Sequence, residues 1–191
     1  DDASGNSFAG ISDTTTLSFT AADSAGPAIA SSSPADNATG VAVDANIILT
    51  FDENVVVGSG NITLKKSSDN STVQAMPVGG GNVSASGAVV TINPSANLDS
   101  SQGYYIQIAA TAFDDASGNS FAGINDTTSL NFTAADVLGP TLSSSSPADN
   151  AAGVAGGANI VLTFNENVVL GSGNVSLYKT NGTLVEAMNV S

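Results

Sequence analysis

The chain has 191 residues, 17 acidic side chains against three lysines, and no arginine, histidine or cysteine, for a net charge of −14. Without clustered cations it cannot neutralise phosphates, which excludes nucleic-acid binding and disfavours an anionic membrane surface. Without cysteine it forms no disulfide or thiolate metal site, and the missing histidine deprives hydroxyl nucleophiles of their usual base.

Residues 1–10, DDASGNSFAG, recur letter for letter at 114–123. Residues 1–24 and 114–137 differ only at Ser12, Thr16, Ser18 and Ser24 of the first copy, and the register continues at an offset of 113 residues. A one-residue deletion near Asn181 then shortens it. Such a period means tandem copies of one structural unit. Val, Ile, Thr, Ser, Asn and Gly dominate, which favours strands and turns over helices.

In chain order, Leu17 and Phe19 alternate with polar neighbours and predict a strand ending at Ala21. Residues 23–27 form a joint with a rigid proline. A weak strand over 28–33 meets the turn Ser33-Pro34-Ala35-Asp36-Asn37. Ile47, Leu49 and Phe51 share one face of the clearest strand. Ile62 and Leu64 follow, then strands over 73–78 and 88–92 separated by Gly79-Gly80-Gly81. After a loop over 93–103, Tyr104, Ile106, Ile108 and Ala110 predict one face of a long strand, with the tyrosines as core and corner residues. Leu130 and Phe132 repeat the strand of Leu17 and Phe19.

About seven strands between Asp23 and Ala135 make an all-β, immunoglobulin-like antiparallel sandwich. The domain reading is therefore the last strand of a preceding repeat (1–22), a complete repeat (23–135) and the first half of a following repeat (136–191). Incomplete sandwiches expose unpaired edges. The expected partners are neighbouring repeats of the same chain, and strand complementation between chains by the incomplete ends.

The runs GPAIASSSPADNATGVAVDANIILTFDENV, NLDSSQGYYIQI, DDASGNSFAG and LNFTAAD resemble the bacterial Ig-like repeats of S-layer proteins and very large secreted adhesins. The resemblance covers the whole period and implies a non-catalytic spacer. It is similar to the extender arrays of RTX-type adhesins, which implies an extracellular place on the bacterial surface and stiffening by calcium. The rival expectations are a ligand-binding module for sugar, ice or protein, and an S-layer or cell-wall domain.

Charge points to calcium as well, because carboxylates are the hard oxygen ligands it takes. Alternating strand direction places Asp52, Glu53, Asp114, Asp115, Asn119 and Asp23 near the entering joint. Asp36 falls at the opposite pole beside the exit and Asp136, and its copy is Asp149. The expected arrangement is an ion at each joint collecting carboxylates from both domains, with Asp114, Asp115, Asn119, Asp52, Glu53, Asp23, Asp136 and Asp149 as candidate ligands. A turn-only role competes for each, since Asp, Asn and Gly build tight turns unaided. Asp44 becomes Gly157 in the second copy and Asp52 becomes Asn165. The first loss makes Asp44 dispensable; the second retains an oxygen. Sequons such as Asn61-Ile62-Thr63 are expected by chance in so polar a chain.

Overall fold

Short runs rich in Val, Ile, Thr and Ser, punctuated by Gly, Pro and Asn, favour short strands in this chain. The computed structural model describes residues 1–190 and separates into two compact units, Asp1–Asp136 and Val137–Ser191.

The first unit contains β1 (Ile29–Ser33), β2 (Ala38–Val41), β3 (Ile47–Phe51), β4 (Val56–Val57), β5 (Asn61–Lys66) and β6 (Thr72–Pro77). It continues with β7 (Val83–Ser86), β8 (Val89–Ile92), β9 (Gly103–Ile108), β10 (Phe113–Asp114) and β11 (Asn131–Ala134). One sheet runs β1-β3-β8-β7, the other β2-β11-β9-β5-β6, and β10 pairs with β4 as a short clip. All pairs are antiparallel except β11 with β2, which is parallel.

Between the sheets lies a core supplied by the alternation of each strand. Ile47, Leu49 and Phe51 are buried while Ile48 between them is exposed. Phe51 packs against Phe113 and Phe121, each at 5.4 Å between ring centroids. Tyr104, Ile106 and Ile108 enter the core from β9 as expected, but Ala110 does not. The strand ends at Ile108, where an antiparallel bridge to Ile124 replaces it. Tyr105 is buried on the other face, beneath the Lys65 ammonium at 5.7 Å from its ring centroid.

Three departures from the expected elements share one cause. β2 was hidden in a four-residue ATGV stretch, and β7 in the run after the three glycines. The third is the opposite case: Leu17 and Phe19 lie in no strand, at 74 % and 89 % exposed. A strand exists only with its neighbour. β2 has β11 beside it and β7 has β8, whereas residues 17–21 pair with no strand among the described residues.

The second unit shows the same rule. It holds β12 (Leu142–Ser146) paired with β13 (Val161–Phe164), and β14 (Asn174–Tyr178) paired with β15 (Leu184–Asn189). β12–β13 copies the register of β1–β3, bulge included: Leu142 faces Phe164 as Ile29 faces Phe51. Copies of β8, β9 and β11 are absent among the described residues, and the apolar face stays open. Ile160 is 50 % exposed where Ile47 is 1 %, and Leu162 is 41 % where Leu49 is 0 %.

In the first unit the chain enters beside the end of β3, since Ile29 faces Phe51. It leaves beside the start of β9, since Thr133 faces Gly103. β3 ends and β9 begins at opposite poles, so the unit is traversed end to end.

Leu49→Ala should cost about 2–5 kcal/mol, the range for an aliphatic side chain removed from a packed core. Leu162→Ala should cost less than about 1 kcal/mol, as for a surface position. Urea titration of the two variants, followed by circular dichroism, checks the difference.

Candidate metal site

The loop after β10 is built by its own side chains. Asp115 Oδ1 accepts the backbone N–H groups of Ser117 at 2.8 Å and Asn119 at 2.7 Å. Its Oδ2 accepts the Asn119 amide at 2.7 Å, and its N–H donates to the Asn119 carbonyl at 2.9 Å. Gly118 supplies the left-handed turn at φ 89°. The copy at the chain start does the same without a surrounding domain. Asp2 accepts Ser4 N–H, Asn6 N–H and the Asn6 amide, each at 2.9 Å, with Gly5 at φ 84°. Local sequence alone therefore dictates the turn, and the turn-only reading explains these bonds.

It does not explain where the loop is placed. Asp115 is 3 % exposed and is the one buried charged residue among those described. Burial pushes its pKa up, but the Asn119 amide and the backbone N–H groups outweigh this and hold the carboxyl below its ordinary value. Beside it stand Glu53, half-buried in the loop after β3, and the exposed Asp23 from the entering chain. The carboxylate oxygens of Asp23, Glu53 and Asp115 lie within 4.8 Å of one another. Burial, then the charges of Asp115, Asp23 and Asp52, push the Glu53 carboxyl above its ordinary value of 4.5. Of the two lysines in this unit, Lys66 is spent on Asp99 at 2.7 Å and Lys65 on Tyr105.

Three carboxylates offer hard oxygens only. Calcium binds such ligands at about 2.3–2.6 Å, so oxygens across one ion stand up to roughly 5 Å apart. The three oxygens lie within that reach of one another.

The other expected ligands do other work. Asp52 Oδ1 accepts Ala28 N–H at 2.8 Å while Asp52 N–H donates to the Ala28 carbonyl at 3.0 Å, which ties the entering chain to the end of β3. Its copy Asn165 makes the same pair of bonds with Thr141, at 2.6 and 3.0 Å. The position needs an acceptor oxygen, not a charge, and this is why Asp and Asn exchange there. Asp114 accepts the Ser120 hydroxyl at 2.5 Å, and the Asn119 amide donates to Asp115.

Asp36 sits where the chain passes from β1 to β2 between the sheets. It clamps the start of β11, its Oδ1 accepting both the backbone N–H and the side-chain amide of Asn131 at 3.0 Å. It is thus at a sheet crossover and not at the exit pole. Asp149, its copy, accepts the Asn150 amide at 2.8 Å, and Asp136 accepts the Ser100 hydroxyl at 2.9 Å. Neither joins the three-carboxylate cluster. That cluster draws on residues 23–115 of the first unit.

In sequence Gly26 is only one residue of the joint over 23–27. A Cβ there would lie 2.2 Å from the Ser120 carbonyl oxygen, so the entering chain is pressed onto the loop that carries Asp115. No spacing rule reveals such an approach; the one available signal was the recurrence of Gly-Pro as Gly139-Pro140.

The family model described as bacterial Ig-like domain matches residues 23–134 and again 136–190. The chain belongs to the bacterial Ig-like domain family. No curated protein matches it. Among solved structures it is similar to the S-layer protein SbsC (residues 31–844) at 14 % identity and TM-score 0.38, covering 85 % of this chain and 19 % of that one. It is also similar to the N-terminal part of SbsC at 13 % identity and TM-score 0.39, covering 83 % of this chain and 37 % of that one. The chain therefore spans well under half the length of these structures. Within this Ig-like domain the carboxylate cluster marks the pole where the chain enters.

Because the folded-state pKa of Glu53 is raised, its ionisation costs stability above the unfolded value, and that cost disappears as pH falls below about 4.5. In chelator, Glu53→Gln should raise Tm at pH 7, and the gain should shrink toward zero as the pH approaches 4.5. Scanning calorimetry across that range checks the sign. Gly26→Ala should lower stability by roughly 1–3 kcal/mol, as overpacking does, and speed amide exchange at 27–29.

Proposed function

We propose that this chain is part of a non-catalytic extender in a large repetitive adhesin on the bacterial surface, and that calcium at Asp23, Glu53 and Asp115 stiffens each joint. The observation that carries the reading is the cluster itself. It joins a carboxylate of the entering linker to two from the body of the domain, and their repulsion is unrelieved by any lysine nearby.

A spacer needs length and stiffness more than a pocket. End-to-end traversal supplies length, because the chain leaves the domain at the pole opposite its entry. Stiffness depends on whether the linker is fixed to the domain. Ala28, Gly26 and Asp52 already hold it from one side. An ion shared by Asp23, Glu53 and Asp115 would convert the remaining repulsion into a tether. Extracellular calcium modules bind with dissociation constants of about 10⁻⁴–10⁻³ M, matched to the ion level outside cells. The absence of histidine and cysteine and the repetition of the unit favour a mechanical role over catalysis.

An ion that binds only the folded state stabilises it by mass action, here by about 1.4–2.7 kcal/mol at tenfold to hundredfold excess over the dissociation constant. Calcium at about 10 mM should therefore raise Tm by roughly 5–10 °C, reversibly with chelator. Asp23→Asn, at an exposed position that leaves the core intact, should remove most of that rise. A melting curve that ignores calcium would overturn the proposal.

A further inference from the structure

Asn181 is the one asparagine of this chain that a glycine follows. Glycine has no Cβ to shield its backbone nitrogen, and its wide φ/ψ freedom lets that nitrogen swing toward the preceding side chain. The pair lies in the loop between β14 and β15, with Gly182 in the left-handed region at φ 83°. Asn181 Oδ1 accepts the Thr183 N–H at 3.1 Å. That bond closes a ring around the Gly182 nitrogen and folds the side-chain amide of Asn181 back over its own peptide link.

We propose that Asn181 is a modification site that the chain itself drives: the Gly182 nitrogen attacks the side-chain amide, and water converts the product to aspartate and isoaspartate. Hydroxide removes the Gly182 N–H proton, and the nitrogen forms a bond to Asn181 Cγ. The side-chain oxygen becomes an oxyanion, and the Thr183 N–H that already faces it holds that charge more strongly than the neutral amide. The Cγ–Nδ2 bond then breaks. Nδ2 leaves as ammonia, taking its third hydrogen from water and regenerating the hydroxide. A five-membered cyclic imide remains, and a water molecule opens it by one of two routes. Addition at Cγ breaks the new bond to nitrogen and leaves aspartate in an intact main chain. Addition at the main-chain carbonyl breaks the original peptide bond, so that the chain runs on through Cβ and Cγ as isoaspartate. One water is consumed and one ammonia released, with no change of oxidation state.

The first unit shows what the aspartate route leaves behind. Its equivalent hairpin, between β5 and β6, has Asp69 and Asn70 where the second has Asn181 and Gly182. Asp69 Oδ1 accepts the Ser71 N–H at 2.9 Å and Asn70 has φ 60°, the same turn. Aspartate is therefore at home in this position. Residues 67–71 are exposed although the sandwich around them is complete, so water reaches such a tip in a closed domain. Isoaspartate behaves otherwise, because its extra main-chain methylene displaces β15 against β14.

The next most reactive asparagines are those followed by serine, and each is restrained. Asn70 Oδ1 accepts the Tyr105 hydroxyl at 3.2 Å. The amides of Asn119 and Asn6 donate to Asp115 and Asp2, at 2.7 and 2.9 Å. Gly182 carries a restraint of its own, since its N–H donates to the Lys179 carbonyl at 2.9 Å. The turn must open that bond before each attack, which makes the reaction slow and lets it report the age of the folded chain.

Incubation of the full chain in a mildly alkaline buffer made with ¹⁸O-water, followed by peptide mapping in a mass spectrometer, tests this. Chelator is present, so the result is independent of calcium. The peptide that carries Asn181 should lose ammonia and gain one labelled oxygen, at a rate proportional to hydroxide. It should react at least about tenfold faster than the peptides of Asn6, Asn70 and Asn119. An isoaspartyl methyltransferase should label the same peptide. Gly182→Asn copies Asn70, keeps the left-handed turn and should slow the conversion by about tenfold or more. Asn181→Asp should leave Tm unchanged, as Asp69 predicts. An Asn181 that stays intact while Asn6 converts overturns the inference, and so does a Gly182→Asn variant that reacts as fast as the parent chain.

Discussion

The sandwich depends on one lateral pairing. β11 is the strand that joins β2 to β9, and through β9 to β5 and β6. With it in place, ATGV becomes a strand, Asp36 finds a donor, and Leu130 and Phe132 fill one side of the core. Where its copy has no neighbours, as at 17–21, the same residues stay irregular. Backbone donors and acceptors left without partners are costly, so a strand of four residues cannot persist by propensity alone. The two states of nearly one sequence within a single chain show that tertiary pairing, and not local preference, decides this element.

The acidic turns behave in the opposite way. Asp2 and Asp115 make the same bonds although one lies in open chain and the other in a packed pole. Asp126 likewise gathers Ser129 and Thr128, which lowers its pKa to about 2. These carboxylates are kept ionised by short-range N–H and O–H donors. Glu53 has no such set of donors and is pushed the other way. Electrostatic cost therefore falls on the pole that carries it.

Much of this was legible in residues alone. Ile47, Leu49 and Phe51 announce β3 by strict alternation, and strand direction was enough to bring Asp23, Glu53 and Asp115 to one pole. The comparison of internal copies also showed that position 52 keeps an oxygen when it loses its charge; that this oxygen serves the backbone and not an ion took the structure. What stayed hidden was contact with non-neighbours. β2 is a strand because of residues 94 positions later, as Phe132 faces Ala38. The Gly26 approach to Ser120 is equally remote in sequence. Asp36 was misplaced because its turn looked like a polar loop, whereas the chain there switches sheets and continues in the same direction.

That continuation has a mechanical consequence. β1 and β2 run away from the entry pole, and β11, parallel to β2, runs to the exit pole. Tension applied along a string of such domains pulls β2 backward and β11 forward along their shared axis. The hydrogen bonds between them, with the Asp36–Asn131 clamp beside them, then bear load together in shear and do not peel one at a time. Resistance to stretching thus comes from the strand order itself.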